Sequence, residues 1–177
     1  MWKAAVNLIS QIRGLGSASP GGARVPETGR VRELERLCET LDYRFRDFAL
    51  LDQALTHSSY SNEMEASEPG RQVPNYESLE FLGDSILGLI ISEFLFLSYP
   101  EKREGFLSQM KSQLVSTTQL SELSRDLGLG EFLNLGRGEQ KTGGRNKKAI
   151  LADLFESLLA AIYLDGGFKE ARIFVLR

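Results

Sequence analysis

The chain has 177 residues, with 21 Lys and Arg against 24 Asp and Glu, a formal charge of −3. That length suits one compact domain with a real core, and 42% hydrophobic against 25% charged residues excludes wholesale disorder. One cysteine, Cys38, and one histidine, His57, exclude an internal disulfide, a Cys/His zinc site and acid–base chemistry by two imidazoles.

Residues 1–30 read as a flexible tail. Positions 1–26 hold Lys3, Arg13 and Arg24 but no acid, with glycine and serine gathered in the second half. Such a start fits an organellar transit segment or a mobile bacterial tail. From Val31 the spacing Val31, Leu34, Leu37, Leu41 predicts an amphipathic helix, and a second fits Ala49 to Thr56. Residues Ser61 to Pro74 are mostly polar and read as an exposed loop. Asn75 is a fitting N-cap for a long helix to about Ser98, stopped by Pro100. Further helices fit Glu104 to Val115, Thr118 to Leu127, Lys147 to Leu164, closed by Gly166-Gly167, and the last segment, Phe168 to Arg177, which carries no stop signal. The fold class is all-α, with two nearly all-apolar central helices. The most apolar run, Phe81 to Leu97, carries Asp84 and Glu93, so it is read as a buried core helix and no membrane partner is expected.

Those two apolar helices carry acids where water should not reach. Glu77, Glu80 and Asp84 stand at i, i+3 and i+7, within a sector of about 60° on one side of the helix. Asp153 and Glu156 stand at i, i+3 in the second helix. Ionised carboxylates there cost several kcal/mol each unless compensated, about the scale for a buried charge. Lys and Arg are scarce nearby, so a hard divalent cation on oxygen ligands is the simplest compensator. The alternative is that Glu80 and Glu156 cap backbone groups or pair with distant arginines.

The words around these acids resemble the ribonuclease III endonuclease domain. They are Asn75-Tyr76-Glu77-Ser78-Leu79-Glu80-Phe81-Leu82-Gly83-Asp84-Ser85-Ile86-Leu87, then Ala54 to Tyr60, Glu104 to Ser108, and Ile150 to Gly167. The similarity covers residues 31–177. It implies a homodimer that cleaves double-stranded RNA with Mg²⁺, Mn²⁺ substituting, in rRNA and mRNA processing in the cytoplasm; an organellar location is the second reading. Carried over by residue, it makes Glu80, Asp84, Asp153 and Glu156 metal-binding acids. Asp84 and Glu156 also orient water, Glu77 and Glu104 support the acids, and Phe81 inserts into the partner subunit. Ordinary core packing is the plainer reading of Phe81. The family commonly has Arg where Ser78 stands and often another polar residue at Tyr76. Its usual C-terminal double-stranded-RNA-binding domain is not found, so the chain is read as truncated within its last helix.

Two metals roughly 4 Å apart can activate water, neutralise phosphate and stabilise the leaving oxygen without histidine. From Arg137 to Lys148 the cations Arg137, Lys141, Arg145, Lys147 and Lys148 meet Glu139 alone, and they run into the helix bearing Asp153. This segment is expected to grip RNA phosphates, or to be a solvated charged loop. A-form RNA would be bound by shape and backbone, its base edges being hidden. His57 is expected to be structural. A noncatalytic RNA-binding or ribosome-associated scaffold of the same fold is the competing function.

Overall fold

The computed structural model describes residues 28–68 and 70–177. The transit reading, and the tail except for Thr28 to Arg30, fall outside the described residues. Those three residues form the first turn of α1 (Thr28–Leu41), so this helix begins earlier than Val31. Arg30 explains the extension. Its guanidinium reaches Asp52 at 2.7 Å and the Phe132 carbonyl at 2.7 Å, which ties the first turn to the core.

Among the described residues there are nine α-helices and two short 3₁₀ turns, and the one β-like contact is a bridge between Thr56 and Asn134. The expected all-α class is observed. In α1, Leu34, Leu37 and Leu41 of the predicted stripe are buried, joined by Cys38, while Val31 is half-buried. Asp47 caps α2 (Phe48–Ala54) by accepting from the Ala49 and Leu50 amides.

The expected loop from Ser61 is instead helical for half its length, as α3 (Ser58–Ser67). Only Ser61 of this helix is buried, so it has no apolar period to read, and its cap is the His57 imidazole, whose Nδ1 accepts from the Ser59 amide at 3.0 Å. The long helix α4 (Glu77–Ser98) starts one residue later than an Asn75 cap implies. The N-cap position is Tyr76, and Asn75, one residue before it, accepts from the Glu77 amide through its side-chain oxygen at 3.1 Å.

Next come α5 (Glu104–Leu114), α6 (Thr117–Asp126) and α7 (Arg137–Lys141). Last are α8 (Lys148–Gly166) and α9 (Phe168–Leu176), separated by Gly167 in the left-handed region at φ 87°. Helix α8 is the axis of the fold, packing against α4, α6, α9 and α2, and most of its side chains are buried. Helix α4 differs from the buried core helix expected. It buries Leu79, Ile86, Leu87, Ile90 and Leu95 but leaves Phe81, Leu89, Phe96 and Leu97 exposed. By length and apolarity it could cross a bilayer; here one face is packed lengthwise on α8 and the other stands uncovered.

Candidate metal centre

The acids meet where α4 crosses α8. Gly83 lies at this crossing, and a Cβ there would land on the backbone carbonyl of Glu156, so only glycine lets the helices come this close. Glu80 sits one turn before Gly83 on α4, while Asp153 and Glu156 sit in the first half of α8. The crossing therefore gathers Glu80, Asp153 and Glu156, with one carboxylate oxygen from each lying within 4.8 Å of the others. All three are half-buried. Asp84 is exposed at the rim, close enough for its charge to act on Glu80 and Glu156.

Among the described residues, no cation pairs with the cluster. Desolvation first, then the charges of Asp84, Glu80 and Asp153, push the Glu156 carboxyl up to about 7. Desolvation and the charges of Asp153, Glu77 and Asp84 raise Glu80 in the same way. Burial also raises Asp153, against which the neighbouring His57 ring and then the Tyr76 hydroxyl pull down. Among the described residues, no Lys or Arg forms an ion pair with any of the four acids. Pairing with distant arginines is thereby removed as an account of them among the described residues. Three facing carboxylates with no soft ligand fit a hard divalent cation such as Mg²⁺ or Mn²⁺.

The remaining candidates scatter. Glu77 is exposed in the first turn of α4, beside Glu80. Glu104 opens α5, accepts from the Ser108 hydroxyl at 2.5 Å, and follows the far end of α4. Since Glu80 to Ser98 spans about 27 Å of helix, one chain does not bring Glu104 to the cluster. Phe81 is 79% exposed, which rules out core packing for it.

The basic segment precedes α8 as expected, but its cations are not equivalent. Arg145 donates through Nη1 to the carbonyls of Gly130 at 2.8 Å, Glu131 at 3.2 Å and Leu133 at 2.7 Å, which makes it a brace for the preceding turn. Lys147 Nζ pairs with Glu139 at 2.6 Å and also donates to Thr142, and Arg137 pairs with Glu63 at 3.1 Å. Lys141 and Lys148 are exposed. His57 is structural as expected, capping α3, yet its ring also lies edge-on to Tyr76 with centroids 5.6 Å apart. Sequence reasoning missed Tyr76 as a neighbour of the acids. The one signal was its place immediately before Glu77.

Comparison with known proteins gives the same picture. The family model described as Ribonuclease-III-like matches residues 47–177. Ribonuclease 3 of Borreliella burgdorferi is 48% identical over 147 residues, which cover 83% of this chain and 58% of that protein. Ribonuclease 3 of Solibacter usitatus is 52% identical over 136 residues, 76% of this chain and 50% of that one. This chain thus spans half to three-fifths of the length of these relatives. A solved nuclease domain of ribonuclease III from Campylobacter jejuni, described for flexibility in a region involved in dimer formation, superposes with TM-score 0.74 at 36% identity. The match covers 81% of this chain and 94% of that one. With its helices, its acidic crossing and these likenesses in agreement, the chain belongs to the ribonuclease-III-like family.

Proposed function

We propose that this chain is the nuclease domain of a homodimeric, Mg²⁺-dependent endoribonuclease that hydrolyses double-stranded RNA, leaving 5′-phosphate and 3′-hydroxyl ends. The observation that carries this reading is the carboxylate triad at the α4–α8 crossing, whose unpaired charge calls for a cation. Glu80, Asp153 and Glu156 would hold the metal. When bound, the metal supplies neutralisation of the phosphate and a more acidic attacking water. Asp84, exposed at the rim, and Glu156 would orient an attacking water, and Glu77 adds to the local negative field.

Substrate is held by backbone contacts from Lys148, Lys141 and Arg137, with Lys147 exchanging Glu139 for a phosphate. The supporting observation for a second copy is the exposed apolar stripe of α4, with Phe81 beside the acids. In such a pair Glu104, remote from its own cluster, would serve the valley between the subunits. Precursors of rRNA and mRNA in the cytoplasm are the substrates this reading implies.

Incubation of the chain with long double-stranded RNA and Mg²⁺ at low salt tests the proposal. Cleavage that a chelator stops, with labelled product ends of the stated chemistry, is expected. Intact RNA at high protein concentration would leave the noncatalytic scaffold as the better reading.

A further inference from the structure

Helix α4 carries Glu77, Glu80, Asp84 and Glu93 but no Lys or Arg, so a cation beside its acids has to come from another element. Glu80, Asp84 and Gly88 stand at i, i+4 and i+8, and residues so spaced follow one another along a single ridge of a helix. At Gly88 the ridge has a gap, and Lys111 of α5 fills it. A Cβ built on Gly88 would lie 3.3 Å from Lys111 Nζ and 3.6 Å from its Cε, so the ammonium end itself occupies the slot. Helix α5 packs back along α4. Glu104 at its start therefore stays at the far end, while Lys111, seven residues on, is carried toward the crossing. From Asp84 to Gly88 is about 6 Å of helix rise.

Lys111 is half-buried, yet its ammonium makes no ion pair among the described residues. A lysine that only covers apolar surface lays its stem on the helix and sends its charge out into water. Here the charge is set down on α4 in line with Glu80 and Asp84, where the backbone of an RNA strand reaching those acids would pass. A fixed ammonium is a point-charge partner for a phosphate oxygen. We propose that Lys111 is a substrate-contacting residue, its ammonium binding a non-bridging oxygen of the RNA phosphate next to the one that meets the acids. The inference rests on the RNA-cleaving reading above and adds a contact outside the basic segment that precedes α8.

The test compares the parent with Lys111→Met, which keeps the stem against α4 and removes the charge, and with Lys111→Arg, which keeps the charge. Binding of a fluorescent double-stranded RNA is measured in chelator at several salt concentrations, and cleavage in Mg²⁺ is measured against RNA concentration. Lys111→Met is expected to bind about tenfold more weakly at low salt and to lose about one phosphate contact from the salt slope. Its kcat is expected to stay within about threefold of the parent while KM rises, because a flanking phosphate is held alike in ground and transition states. Lys111→Arg is expected to return affinity and KM to within about threefold of the parent, and both variants should sediment as the parent does. A methionine variant with the parent's affinity and slope overturns the proposal. So does weaker binding that comes with loss of the dimer, since the lysine then belongs to the contact between subunits, and so does a loss that arginine fails to restore. A parent that neither binds nor cuts double-stranded RNA overturns the proposed function and this proposal together. A parent that cuts it no better than Lys111→Met does, at every RNA and salt concentration, overturns this proposal alone.

Discussion

At the scale of single residues, Glu156 is where charge is most expensive among the clustered acids. Its carboxyl is raised from 4.5 to about 7 in the fold, so between those values the folded chain holds a proton that the unfolded chain has lost. Its contribution to stability is complete below pH 4.5 and disappears as pH rises through 7. Metal-free parent should therefore lose melting temperature over that window relative to Glu156→Gln, and should be the less stable of the two at pH 8; parallel curves in chelator would refute this. Mg²⁺ or Mn²⁺ at millimolar concentration should restore the parent at pH 8, because only the folded state presents the gathered acids. The acids were legible because carboxylates at i, i+3 in apolar helices need a cause. Tyr76 was not, since a tyrosine ahead of a helix is an ordinary packing residue until the fold buries it near the charges of Asp153, Glu80 and Glu77.

At the scale of elements, the site exists because α4 and α8 approach to near backbone contact at Gly83. Gly83→Ala should force the helices apart, costing about 1–3 kcal/mol as overpacking does and shrinking the metal-induced rise in melting temperature. An alanine variant with parental stability and parental metal response would contradict the crossing described here. Both helices could be read from sequence, as could α1, because their apolar residues recur at helical spacing. Helix α3 could not, since one buried serine gives no period.

The basic segment was legible as charge but not as geometry. A guanidinium bonded to three carbonyls reads the same in sequence as one facing solvent. Arg145→Ala should consequently lower stability, while Lys147→Ala with Lys148→Ala should weaken RNA cleavage and flatten its salt dependence by about one to two phosphate contacts. Equal salt slopes in the double variant and the parent would return these lysines to a solvated surface.

At the scale of the whole molecule, the proposed function would have a chain of net charge −3 bind a polyanion, so binding would be local to the basic segment and to whatever a second copy adds. The exposed stripe of α4, with Phe81 at one end and Phe96 and Leu97 at the other, is the surface a second copy would cover. Phe81→Ser is expected to shift sedimentation from dimer to monomer and to reduce cleavage with it. The central claim is that the carboxylates gathered at the α4–α8 crossing perform metal-dependent cleavage of double-stranded RNA. Its most direct test is the cleavage rate of Glu156→Gln against the parent in saturating Mg²⁺, with both shown to be folded. A loss of at least about a hundredfold, roughly 2.7 kcal/mol of transition-state stabilisation, is predicted. Activity within about threefold of the parent, under 1 kcal/mol, would contradict the account.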